Sequence, residues 1–156
     1  MKLNTPVTQK EAPVAPTANI LSTTNTKGAI TYINQDFVDI SGFTLEEVMG
    51  KNHNVLRHPD MPPQAFTQLW DTVHGGHSWM GIVKNRCKNG DHYWVDAYVT
   101  PILQNGQVVE YQSVRRQASP DAIARAEALY GYLMKDHSAM RTKTPRILRR
   151  SLPITT

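Results

Sequence analysis

Two Asn-Gly pairs, Asn89-Gly90 and Asn105-Gly106, divide the second half of the chain into three strand-like runs: "SWMGIVKNRCK", "DHYWVDAYVTPI" and "QVVEYQSVRR". Asn-Gly tolerates the positive φ that tight hairpins need, so runs joined by it are antiparallel neighbours. Upstream, "ANILSTTNTKGAITYINQ" reads as two shorter strands turning at Lys27-Gly28. Between these blocks lie three helical stretches. "QDFVDISGF" and "TLEEVMG" are short; Thr44 and Glu47 have capping-box spacing and Gly50 is a stop. "PPQAFTQLWDTVHGG" is longer, with Pro63 in its first turn, Phe66, Leu69, Trp70 and Val73 on one stripe, and Gly75-Gly76 at its end. The order ββαααβββ predicts an α+β fold, a five-stranded antiparallel sheet with helices packed on one face.

Residues 1–18 hold Pro6, Pro13 and Pro16 among small polar residues and read as a flexible N-terminal arm. The compact domain is expected over 19–117. Over 118–138 a C-terminal amphipathic helix is expected, with Ser119 as N-cap, Pro120 at the first helical position, and Ile123, Ala126, Tyr130 and Leu133 at helical spacing. Its apolar stripe needs cover, from the open face of the sheet or from a second copy. A basic tail, 139–156, carries Arg141, Lys143, Arg146, Arg149 and Arg150, which account for the net charge of +4. The rest is almost balanced and carries no nucleic-acid footprint; the tail is the one segment suited to peripheral contact with an anionic membrane. The single cysteine, Cys87, the absence of a signal-like apolar N-terminus and the lack of a spanning apolar run fit a cytoplasmic location.

The stretch "NVLRHPDMPP" places Arg57, His58 and Asp60 within four residues and stiffens them with Pro59, Pro62 and Pro63. Arg57 suits a phosphate and His58 a ring, sugar or phosphate, while Asp60 suits ribose hydroxyls or Arg57 itself. The alternative is an exposed loop ion pair worth about 0–1 kcal/mol. In the strand that follows, Trp79, Gly81, Val83, Asn85 and Cys87 share one face, and Met80, Ile82, Lys84 and Arg86 the other. Gly81 clears space and Asn85 brings a donor and an acceptor to an apolar wall, as a flat heteroaromatic ligand requires; equally, Asn85 lies near a strand end where water can serve it. His74 and His77 lack further metal ligands, and Asp91, His92 and Asp96 lack a nucleophile. No phosphate-cradling motif is present. Neither a catalytic apparatus nor a metal site is expected.

The element order and "GIVKNRCKNGDHYWV" resemble a PAS domain over residues 19–117. "NVLRHPDMPPQAF", "WMGIVKNRCKNGDHYWVDAYVTPI", "YQSVRR" and "SPDAIARAEALY" further resemble the FAD-binding PAS domains of bacterial aerotaxis receptors. The resemblance implies FAD as a non-covalent cofactor whose redox state is relayed, without catalysis, to a chemoreceptor signalling module in cis or in trans; the apolar stripe of the C-terminal helix suggests a homodimer, though packing on the same domain would explain it equally well. It implies cofactor contacts at Arg57, His58, Asp60, Trp79 and Asn85, with Asn34, His53 and Phe66 from the helical side. In "GKNHNVLR", His53 stands where light-oxygen-voltage photoreceptors carry a reactive cysteine, so a blue-light adduct is not expected. Two further readings compete: a cofactor-free PAS interaction module, and a haem sensor with His53 or His58 as axial ligand.

Overall fold

The computed structural model describes residues 4–150, with side chains to Asp136. Five strands, β1 (Ile20–Thr24), β2 (Ile30–Ile33), β3 (Trp79–Arg86), β4 (His92–Gln104) and β5 (Gln107–Gln117), form one antiparallel sheet in the order β2-β1-β5-β4-β3. Helices α1 (Gln35–Ser41), α2 (Leu45–Val48) and α3 (Pro63–His74) cover one face, and α4 (Pro120–Arg150) follows β5. The expected order of elements is thus the observed one.

Local chemistry sets the boundaries. The Asn34 side chain caps α1 by accepting from Phe37 N, and Thr44 with Glu47 closes a reciprocal capping box on α2. The β4–β5 turn places both Asn105 (φ 53) and Gly106 (φ 78) in the left-handed region, as a type I′ hairpin requires. Inward-facing Tyr93, Val95, Ala97 and Val99 of β4 meet Phe37, Leu56, Met61 and Val73 in the main core. The segment read as a plain loop after α2 contains a 3-10 turn, His53–Leu56, whose start is capped by Asn52.

Two regions differ from expectation. Residues 4–18, expected from composition to be a flexible arm, lie against the domain. Thr8 N donates to Gly90 O, Ala12 N to His92 O and His92 N to Lys10 O; Arg86 Nε reaches Pro6 O, and Val14 is buried. Gly90 permits this approach, because a Cβ there would lie 2.8 Å from Pro6 O. Small polar composition cannot reveal such backbone pairing. The second difference is α4, whose backbone continues as helix to Arg150, through most of the segment expected to be a tail. Ile123, Ala126 and Tyr130 pack on Trp94 and Ile82, so α4 is seated on the outer face of its own sheet. The basic side chains of 141–150 and residues 151–156 lie outside the described side chains, and the membrane-contact expectation with them. Among the described residues no helix is long and apolar enough to cross a membrane.

Candidate functional site

A cavity of about 270 Å³ lies between the helical layer and the sheet. Small-ligand pockets start at roughly 300 Å³, so it approaches their lower limit. The sheet supplies Ser22 and Thr24 from β1, Trp79, Val83 and Asn85 from β3, Ala97 and Val99 from β4, and Tyr111, Ser113 and Arg115 from β5. The opposite wall comes from the 3-10 turn and its flanks, Asn52, His53, Asn54 and Arg57, and from one stripe of α3, Phe66, Leu69 and Trp70. Strand alternation and helical spacing therefore build the two walls independently.

Five of the eight residues singled out from sequence line this cavity: His53, Arg57, Phe66, Trp79 and Asn85. The Arg57 guanidinium lies 3.6 Å from the centre of the Phe66 ring. Trp79 folds its indole back over Gly81, where a Cβ would meet the ring at 2.4 Å, and donates from Nε1 to Gln68 Oε1 at 3.3 Å. The space that Gly81 clears is thus filled by Trp79 itself. Asn85 is buried; among the described residues its Nδ2 has no partner within ordinary hydrogen-bond geometry, though its amide lies close enough to the Tyr93 hydroxyl to act on it.

Asn34, His58 and Asp60 do not line the cavity. Besides capping α1, Asn34 accepts from Leu21 N and donates to Asn19 O. His58 is fully buried outside the cavity, its Nδ1 accepting from Asp60 N at 3.1 Å. Asp60 pairs with Lys84 Nζ at 2.8 Å. The loop turns away from the cavity after Arg57 because it covers the edge of β3: Arg57 and Asn85 form a backbone bridge, and Lys84 N donates to Met61 Sδ.

Sequence reading missed Arg115, the strongest electrostatic feature of the cavity. It is 3 % exposed, and its guanidinium donates to Ser22 Oγ at 2.8 Å and His53 Nε2 at 2.7 Å. Among the described residues no carboxylate pairs with it. Burial lowers its pKa to about 10, still protonated at neutral pH. Burial, and secondarily the Arg115 charge, push His53 down to about 3, so His53 is neutral, accepts at Nε2 and carries its proton on Nδ1. Alternation along β5 puts Tyr111, Ser113 and Arg115 inward and Arg116 outward; this was the available signal. Opposite Asn85 on β4, Tyr93 is fully buried, and burial raises its hydroxyl to about 12. Neither histidine is presented as an axial haem ligand: His53 Nε2 is engaged by Arg115, and His58 lies outside the cavity. Cys87 also lies outside it, with Sγ donating to Ile40 O and its pKa raised by burial to about 11.

The family model for the PAS fold matches residues 30–115. This chain belongs to the PAS family. It is 43 % identical over 144 residues to the aerotaxis receptor of Escherichia coli (strain K12), which covers 92 % of this chain but only 28 % of the receptor. The bacterioopsin transcriptional activator of Halobacterium salinarum is 29 % identical over 75 % of this PAS chain and 17 % of its own length. The chain thus spans less than a third of either relative. Among solved structures, a light-oxygen-voltage domain studied with a flavin analogue superposes with a TM-score of 0.63 at 23 % identity, covering 76 % of this chain and 88 % of that domain. That likeness establishes the shared fold.

Proposed function

We propose that this PAS domain is a flavin-binding redox sensor, with FAD as the cofactor, and that it relays the cofactor's state without catalysis to a chemoreceptor-type signalling module. The observation that carries the reading is Arg115, a buried cation in the cavity wall that no carboxylate pairs with among the described residues. A buried charge needs compensation, and the carbonyl oxygens and ring nitrogens along the edge of a flavin can supply it as hydrogen-bond acceptors. The Asn85 amide, buried beside the Tyr93 hydroxyl, has a donor to offer the same ligand, and Trp79, Val83, Ala97 and Val99 provide the apolar wall that a flat ring requires. Similarity to an aerotaxis receptor, and the fold shared with a light-oxygen-voltage domain studied with a flavin analogue, support the same choice.

Bound flavin would supply a reversible redox couple in which one ring edge changes from hydrogen-bond acceptor to donor. Asn85 is suited to both states, because its amide carries a donor and an acceptor and exchanges them by rotation. Arg115 stabilises negative charge developing in the cavity, and neutral His53 holds the guanidinium in place by accepting from it. Arg57, beside Phe66, is placed to meet the phosphates of a dinucleotide tail. A fivefold to 150-fold bias between two signalling arrangements needs about 1–3 kcal/mol, within reach of one or two hydrogen bonds to a charged group.

The test is an absorption spectrum of the purified chain after incubation with FAD and removal of excess, then again after dithionite. Retained flavin absorbance that bleaches reversibly is the expected result, with retention weakened in Arg115→Met and Asn85→Ala. A chain that stays colourless sinks the reading and leaves a cofactor-free PAS interaction module. Dimer formation and the output partner belong to the same proposal, and sedimentation of the loaded chain checks the former.

A further inference from the structure

We propose that Asp60 and Lys84 are positioning residues. They form a clasp around the edge of β3 that holds the wall residue Arg57 in register with Asn85 and links the cavity to the seat of α4. The deduction rests on six contacts that run in sequence. Arg57, in the cavity wall, is bridged through its backbone to Asn85 on β3. Three residues on, Asp60 grips Lys84 Nζ at 2.8 Å, while Lys84 N donates to Met61 Sδ at 3.4 Å. Lys84 Nζ lies 5.7 Å from the centre of the Trp94 ring, its neighbour on β4. Trp94 is the floor on which Ala126, Ile123 and Tyr130 of α4 pack. Tyr130 then returns to β3 by donating its hydroxyl to Ile82 O.

Lys84 is unusual for a residue on the outer face of an edge strand, being only 7 % exposed. Its burial is produced by what wraps it, the 57–63 segment on one side and the Trp94 platform on the other. Pro59, Pro62 and Pro63 restrict the loop's backbone freedom, so a shift at Arg57 is passed on to Asp60 more readily than it is absorbed. A second tie, Gln64 Nε2 to Leu133 O at 3.5 Å, joins the start of α3 directly to α4. Asp60 itself is 57 % exposed, so its removal opens the clasp without creating a cavity in the core. Two discrete arrangements of such a link, clasped and open, are what a state change in the cavity needs in order to bias the helix.

The proposal rests on the flavin reading only for the identity of the stimulus. It is tested on the full chain by hydrogen exchange of the amides of 120–136, with and without FAD and before and after dithionite. The flavin-to-protein ratio is measured in every sample. In the parent chain, reduction changes exchange in this segment. In Asp60→Asn and in Lys84→Met, exchange rises about fivefold in both redox states, and the redox-dependent difference collapses. The double variant is no worse than either single one, and Asp60→Glu restores the parent behaviour. A variant that melts earlier yet keeps the full redox-dependent difference shows a simple staple and overturns the clasp. If the chain takes up no flavin, the functional reading fails on its own account. The clasp is then judged on the ligand-free chain, where unchanged α4 exchange in Asp60→Asn overturns it.

Discussion

The two sides of the sheet each bury a cation, and they treat it differently. On the outer side Lys84 is 7 % exposed and neutralised by Asp60 at 2.8 Å. On the cavity side Arg115 is 3 % exposed and among the described residues is met by neutral groups, Ser22, His53 and the Ile20 carbonyl as acceptors and the Phe37 ring 5.7 Å away. Buried charges are seldom left without a counter-charge, because desolvation costs several kcal/mol per ion. The paired lysine is therefore explained by the chain alone. The arginine is not, and its surplus charge points into the cavity, where something from outside can complete it. The contrast between the two buried cations is what directs the proposed ligand to the cavity side of the sheet.

The largest expected effect uses pH. His53, held at about 3, and His58, held at about 4, are both depressed chiefly by burial. The unfolded chain takes up these protons near pH 6.5 and the folded chain does not, so stability is full above that value and falls as pH drops toward the folded values. Between pH 7 and pH 5 each histidine should cost about 1.5–2 kcal/mol, seen as a lower urea midpoint. The Arg115 charge contributes to the His53 depression, so Arg115→Met should shrink the His53 share of this loss.

Next comes ligand affinity. Arg115→Met should weaken FAD binding about 10- to 100-fold in a fluorescence titration, the loss of one hydrogen bond to a charged group. The ligand-free chain should melt no lower than the parent, since an uncompensated buried charge has been replaced by an apolar side chain. An R115M chain that melts much lower and keeps its affinity would falsify the contrast between the two cations. On the outer side the order reverses. Asp60→Asn should cost about 1 kcal/mol in chemical denaturation, below the figure for a fully buried pair because Asp60 is solvated. Lys84→Met should stay within about 1 kcal/mol of the parent, its apolar chain filling the same place beside Trp94.

The fold was legible because its signals are local. Asn-Gly turns, the Thr44–Glu47 box and the stripe on α3 each act over a few residues, and each appears where its spacing puts it. The sheet-side wall followed from alternation, which brought Trp79 and Asn85 to the cavity. The polar loop was only half legible. Arg57, His58 and Asp60 are close in sequence, but the chain wraps the edge of β3 between them. One side chain therefore faces the cavity and another the outer face, while His58 is enclosed between. That division depends on which strand lies at the sheet edge, a non-local property. Arg115 was missed for the opposite reason. Its inward register was readable in "YQSVRR", yet that no carboxylate among the described residues pairs with it is a fact about distant residues that only the assembled domain reveals.

The folding of the Trp79 ring over Gly81 has an optical consequence. Trp79 and Trp70 border the cavity, whereas Trp94 lies beneath α4 on the far side of the sheet. The chain has three tryptophans, so its intrinsic emission reports both compartments at once. With Trp70 and Trp79 replaced by phenylalanine, the remaining indole watches the helix seat. With Trp94 replaced, the other two watch the chamber. The two unlabelled variants thus follow the cavity and the helix seat separately.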